Sequence, residues 1–149
     1  MRHHLRVSQE LPVAIDRVFP FFARAENLQR ITPPELKCLI LTPTPITLVE
    51  GTIIDYQLRL LIVPFRWRSR ISTWEPPYKF ADEQVTGPYR EWVHTHEFIQ
   101  TKTGTIISDH VQYRLPLFPF GELSYPVVRL QLARIFAFRR AIVRQLIMS

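Results

Sequence analysis

Residues 127–147 read VVRLQLARIFAFRRAIVRQLI, with no glycine or proline to interrupt them. At about 100° per residue, Val128, Leu132, Ile135, Phe138, Ile142, Val143 and Leu146 fall on one arc of a helix. Arg129, Arg134, Arg140 and Arg144 fall outside it. The spacing predicts one long terminal helix with an apolar face. Arg139 lies inside that face, near its middle. A guanidinium placed there needs an anion: Asp82 or Asp109 on a facing sheet, or the carboxylate of a ligand.

The residues before the helix decide what it packs on. His3 to Leu11 alternates His3, Leu5, Val7 and Gln9 with His4, Arg6 and Ser8, the period of a strand. Pro12 opens a helical segment carrying Val13, Ile15, Val18, Phe19 and Phe22 at one-face spacing. A second short helix is expected around Asn27 to Ile31, stopped by Thr32-Pro33-Pro34, because the residue before a proline disfavours helix. Strand signals follow at Leu36–Leu41, Thr52–Leu61, Phe65–Trp74, Tyr78–Thr86, Tyr89–Gln100 and Thr105–Leu115. Pro64, Pro76-Pro77, Gly87-Pro88 and Lys102-Thr103-Gly104 mark the turns between them. Short strands joined by tight turns make an antiparallel meander, and a sheet with one apolar face must cover it. The long helix is the only large element available. The expected class is α+β, with one domain spanning residues 1–149.

Strand alternation sorts the side chains into faces. Phe65, Trp67, Ser69 and Ile71 oppose Arg66, Arg68 and Arg70, and three arginines in a row mark the wet face. Ile54, Tyr56, Leu58 and Leu60 fall inside by the same test, as do Ile107, Asp109, Val111, Tyr113 and Leu115. Two strands stand out. The face of Phe80 also carries Asp82 and Gln84, and the face of Trp92 and Phe98 also carries His94 and His96. Asp82, Gln84, His94, His96, Asp109 and Tyr113 are thus expected to form a partly buried polar cluster. Each such group costs roughly 1–3 kcal/mol when left unsatisfied, so they must bond one another, water or a ligand. The aromatic residues Tyr56, Trp67, Phe80 and Trp92 would provide apolar walls beside that cluster. Apolar walls with a few convergent polar groups have the composition of a small-molecule pocket.

Composition narrows the partners. The formal net charge is +6, yet the basic residues are dispersed and form no block. The outward stripe Arg66, Arg68 and Arg70, with Arg59 and Arg114 alongside, is better read as a solvated sheet face. Nucleic-acid binding would need aromatic side chains interleaved on that face, and they point the other way. Weak contact with an anionic membrane surface is the remaining reading of the stripe. His94 and His96, at i and i+2, are capable of ligating one metal with Asp109 as third ligand, but a hydrogen-bonded wall is the preferred reading and no metal is expected. Nothing in the chain calls for a cofactor. The single cysteine, Cys38, excludes an internal disulfide. The N-terminal residues lack the apolar run of a signal peptide, and Leu60-Leu-Ile-Val-Pro-Phe65 is too short to cross a bilayer. A soluble, cytoplasmic protein is expected.

The order of elements, taken with particular residues, resembles the START-like superfamily. This superfamily is also called SRPBCC or Bet v 1-like, and includes polyketide cyclases, plant allergens and lipid-transfer domains. The pieces are Leu11-Pro12 with Val18-Phe19, Asn27-Leu28 with Ile31-Thr32-Pro33-Pro34, and Gly51 before Tyr56. Trp67, Phe80-Ala-Asp82-Glu-Gln84, Gly87-Pro88-Tyr89 and Trp92-Val-His94-Thr-His96-Glu-Phe98 follow. Gly104-Thr105 with Asp109 and Tyr113, and Phe136 with Arg139, complete the set. The similarity is to the bacterial ligand-binding branch. It implies a helix-grip fold, a curved sheet wrapped on the long helix with a cavity between them, but no particular activity. Two functions stand open. The first is binding or carriage of a small hydrophobic ligand with a polar or acidic end, oriented by His94, His96, Tyr113 and Arg139. The alternative is a cyclase, dehydratase or isomerase acting on a polyketide-like or aromatic substrate. There His94 or His96 would be the general base, Asp109 its orienting partner, and Arg139 or Tyr113 the stabiliser of an enolate. Oligomeric state is not legible.

Overall fold

A computed structural model describes all residues, Met1 to Ser149. The chain runs β1 (His3–Leu11), α1 (Ile15–Phe22), β2 (Leu39–Ile40), β3 (Ile53–Leu60), β4 (Val63–Glu75), β5 (Lys79–Thr86), β6 (Glu91–Gln100), β7 (Thr105–Arg114) and α2 (Tyr125–Met148). The seven strands form one antiparallel sheet in the order β1-β7-β6-β5-β4-β3-β2. Six strands lie in sequence order, and β1 returns to pair with β7 from His3↔Tyr113 to Leu11↔Thr105. This is the helix-grip α+β architecture.

The helix docks through Leu132, Phe136, Val143 and Ile147, all buried. At its C-terminal half, Val143 and Ile147 join Phe19, Phe22, Phe80, Phe98 and Ile107 in one apolar cluster. At its N-terminal half, Leu132 and Phe136 join Leu58, Trp67, Val111, Tyr113 and Leu115 in a second. The arc read from the sequence is therefore turned by a fraction of a step. Phe136, not Phe138, enters the core, while Phe138 stays half-exposed beneath the Arg134 guanidinium, 5.6 Å from its ring centre. The helix also starts earlier than its apolar run, at Tyr125. Pro126 in the first turn costs nothing there because that N–H has no partner in any helix.

Other departures have local causes. The expected strand Leu36–Leu41 shrinks to Leu39–Ile40, because Pro34–Leu36 forms a 3-10 turn and Lys37 adopts a left-handed φ of 48°. The expected helix Asn27–Ile31 is a 3-10 turn at Ala25–Leu28, held by the Asn27 amide donating to the Phe21 carbonyl at 2.7 Å. A bulge between Ile71 and Thr73 shifts the phase of β4. Trp74 consequently faces Phe19 and Phe80, where strict alternation would send it to solvent. The outward arginines separate into two kinds. Arg68 pairs with Asp55 at 2.8 Å and Arg70 with Glu83 at 3.2 Å, each across a strand register, whereas Arg66 forms no ion pair.

The β6–β7 hairpin passes close to the end of β1. A Cβ on Gly104 would overlap the Leu11 carbonyl oxygen and press on the Pro12 backbone. Nearby, Thr105 Oγ1 donates to the Val13 carbonyl at 2.7 Å. Gly104→Ala is expected to lower stability by about 1–3 kcal/mol, read as a lower midpoint in urea unfolding.

Candidate functional site: a polar stack on the wall of an apolar cavity

Between the sheet and α2 lies a cavity of about 150 Å³, lined by 28 residues of which 20 are hydrophobic. A dry apolar cavity of comparable size holds a benzene-sized molecule. Its walls include Tyr56, Trp67 and Trp92 of the sheet and Leu132, Ile135 and Phe136 of the helix. Phe21, Ile31, Leu36 and Cys38 of the segment between β1 and β3 close a further side. In the sequence, the only mark of this last group is the apolar spacing of short helices, which does not say what a face covers.

Within this wall the polar cluster forms a stack. The Phe80 and His96 rings lie 4.2 Å apart at 13°, and the His96 and His94 rings 3.7 Å apart at 26°. Phe136 meets His94 edge-on at 5.5 Å, and the Arg139 guanidinium sits 5.0 Å above the Phe136 ring centre. The i and i+2 spacing on β6 puts both histidines on the inner face, one above the other. Each then bonds a carboxylate on a neighbouring strand. His94 Nε2 donates to Asp109 Oδ1 at 2.8 Å, and His96 Nε2 donates to Asp82 Oδ2 at 2.9 Å. Neither pair is directly opposite in register, since Asp82 faces His94 and Asp109 faces His96. The bonds are diagonal. His96 Nδ1 also lies 3.4 Å from Asp109 Oδ1, within ion-pair range but too poorly aligned to be a hydrogen bond.

Burial and pairing pull the four titrations in opposite directions. Burial alone would raise both carboxyls, but the hydrogen bond from His96 to Asp82, and that from His94 with the near contact of His96 to Asp109, outweigh it and hold both below the ordinary carboxylate value. Burial and the neighbouring His96 push His94 down from 6.5 to about 4, so it is neutral at pH 7. Burial would lower His96 too, yet contact with Asp109 and Asp82 raises it, favouring the imidazolium. Arg139 faces these groups and helps to lower Asp82.

Arg139 does not pair as expected. It has no carboxylate within 4.0 Å, and its buried Nε has no hydrogen-bond partner, so neither Asp82 nor Asp109 is its anion. The reason is competition, because both carboxylates are already held by histidines. Trp67 Nε1 and His96 Nδ1 are likewise buried without a hydrogen-bond partner. The orphaned polar atoms on the cavity residues are all nitrogens, and those of Arg139 and Trp67 can only donate. Arg24 is the other arginine of the lining, and it is exposed.

Eight of the residues singled out from the sequence line the cavity: Tyr56, Trp67, Phe80, Asp82, Trp92, His94, His96 and Arg139. Three do not. Asp109 lies behind the histidines and lines a smaller hollow beside α2. Gln84 is spent on the β5–β6 turn, where its amide donates to the Tyr89 carbonyl at 2.6 Å and its oxygen accepts the Tyr89 N–H at 3.1 Å. Tyr113 is buried among His3, Tyr89 and Trp92.

Donor atoms of Asp82, His94 and His96 fall within 4.8 Å of one another, the spacing at which a metal is worth testing. The fit is poor. Near-parallel rings send their in-plane lone pairs side by side rather than to one point, and both Nε2 atoms are committed to carboxylates.

Sheet order, terminal helix and the cavity between them together define the START-like, Bet v 1-like fold. No family model matches the sequence, and no curated protein does. Solved structures do. The Zhui aromatase/cyclase from Streptomyces sp. R1128 superposes with a TM-score of 0.80 at 13% identity, covering 99% of this chain and 94% of that one. The protein TTHA0849 from Thermus thermophilus gives 0.77 at 15% identity, covering 98% and 97%. Norcoclaurine synthase from Thalictrum flavum, in complex with dopamine and hydroxybenzaldehyde, gives 0.70 at 12% identity, covering 99% and 87%. At such identities the likeness is one of fold.

The histidine pair also sets a pH optimum for stability. His94, depressed from 6.5 to about 4, contributes stability above pH 6.5 that is lost as pH falls toward 4, by roughly 3 kcal/mol if the whole shift counts. His96, raised above 6.5, contributes stability that is full below that value and is lost as pH rises through its folded pKa. Urea midpoints should peak near pH 6.5. His94→Gln keeps a donor for Asp109 but cannot titrate, and should flatten the acid side of that profile while leaving the alkaline side.

Proposed function

We propose that the protein binds and carries a small hydrophobic molecule whose polar end bears acceptor oxygens, a carboxylate or a carbonyl. One observation carries this reading: two buried donors on the cavity residues, Arg139 Nε and Trp67 Nε1, have no hydrogen-bond partner within the protein. Buried polar groups in folded proteins are almost always satisfied, and a ligand oxygen is the group these two lack. The apolar wall supplies affinity for the rest of the molecule, through about 25 cal/mol for each Å² removed from water. A cavity of about 150 Å³ suits a compact ring better than a long acyl chain.

A second reading, catalysis of the cyclase, dehydratase or isomerase kind, is favoured by the His94–Asp109 pair. A neutral imidazole whose Nε2–H is held by a carboxylate leaves its other nitrogen as a base. Two of the fold neighbours are named as enzymes, an aromatase/cyclase and norcoclaurine synthase. Against it, a base with a pKa of about 4 is poorly matched to proton abstraction at neutral pH. Carriage therefore leads.

Calorimetric titration with 4-ethylbenzoate and with neutral 4-ethylbenzamide separates the contributions. The acid is expected to bind more tightly, and Arg139→Gln to weaken it by about ten- to a hundredfold, the loss of one charge-assisted hydrogen bond. The amide should change little. Binding of neither molecule, or equal affinity of both proteins for the acid, would overturn the reading. Should a substrate be found, His94→Gln abolishing turnover with binding intact would establish the enzyme instead.

A further inference from the structure

The strand registers place four features at one end of the sheet. His3 pairs with Tyr113, Glu91 with Arg114, Arg68 with Thr86, and Leu60 with Val63. The start of β1, the β5–β6 turn, the β3–β4 turn and the connection from β7 to α2 therefore share that end. His3 ties α2 to it as well, stacking on Tyr125 at 3.9 Å and bonding Glu122 at 2.7 Å. This end collects the apolar side chains that the core does not take. The six most exposed large hydrophobic residues of the chain are Ile62 (89%), Leu123 (84%), Leu117 (80%), Phe120 (76%), Leu130 (72%) and Met1 (71%), and all six lie here.

The charges at the same end have one sign once pairs are removed. Glu91 is held by Arg2 at 3.1 Å and by Arg114 at 3.2 Å, and Glu122 is held by His3 and the N-terminal amine. Arg59 and Arg66 beside the β3–β4 turn, Arg90 after the β5–β6 turn and Arg129 in the first turns of α2 are exposed and form no ion pair. Exposed apolar tips within a fringe of free arginines match an interface of hydrocarbon beneath anionic headgroups. A second protein surface of the same chain would set these arginines against one another.

We infer that this end of the molecule docks on an anionic lipid bilayer, with Ile62 of the β3–β4 turn and Phe120 and Leu123 of the β7–α2 connection entering the headgroup layer. The cavity lining reaches the same end through Leu60 and Tyr89, which adjoin the apolar tip and Arg90. Docking does not require that the cavity hold the ligand proposed above, and the two fail separately.

Co-sedimentation of the full chain with vesicles tests the inference. Wild type should pellet with vesicles of phosphatidylcholine and phosphatidylglycerol in equal parts, more weakly with phosphatidylcholine alone, and less as salt is raised. Ile62→Asp combined with Leu123→Asp should cut binding at least about tenfold. Arg59→Glu with Arg66→Glu and Arg90→Glu should remove the preference for phosphatidylglycerol. All of these positions are exposed, and unchanged circular dichroism would show that the variants remain folded. Arg139→Gln should pellet like wild type, which separates this surface from the cavity. Wild type remaining in the supernatant, or pelleting undiminished in the tip variant, overturns the inference. So does a dimer in sedimentation velocity that the tip variant dissolves while vesicles fail to bind.

Discussion

Four ionisable side chains share the inner face of three adjacent strands, and water does not solvate them freely there. Asp82 on β5, His94 and His96 on β6 and Asp109 on β7 must settle their charges among themselves. A carboxylate in a low-dielectric wall persists only when it is paired and hydrogen-bonded. Two histidines stacked at 3.7 Å do not both protonate readily, so burial and the neighbouring ring lower His94 while the two carboxylates raise His96. Much of the rest of the interior follows from that settlement.

Both carboxylates are consumed by histidines, which leaves the helix arginine without a protein anion. Arg139 instead lies over Phe136, and the same ring closes on His94 from the side. Helix and sheet thus meet through an aromatic and cationic contact at the middle of the interface and through aliphatic packing on either side. The cavity lies beside this stack, and the unpartnered nitrogens of Arg139 and Trp67 belong to residues that line it.

Surface and interior divide the arginines by the same rule of available anions. On the outer face of the sheet, Arg68 and Arg70 find Asp55 and Glu83 across a strand and become ordinary ion pairs, worth little to stability at such exposure. At the end carrying the β3–β4 turn the acids are already held by other groups, and the arginines beside the apolar tips stay free. A stripe that looks uniform in one dimension therefore separates into a neutralised part and an unneutralised part. Only the second has reason to meet an anionic partner.

The amino-acid sequence by itself determined six of the seven strands, most of their inner and outer faces and the terminal helix, because burial of alternate residues and of a helical arc is a local periodicity. It also marked Asp82, His94, His96 and Asp109 as inward, since each sits in phase with Phe80, Phe98 or Val111. It could not show which carboxylate holds which histidine. Those bonds run diagonally between strands and depend on a register that no single strand encodes. The bulge after Ile71, the turn of the helix that brings in Phe136 and leaves Phe138 out, and the diversion of Gln84 to the Tyr89 backbone were likewise decided by tertiary packing. The pairing of Arg139 was decided in the same way. A charge finds its partner by proximity in space and by who else competes for it, and neither quantity exists until the sheet has closed on the helix.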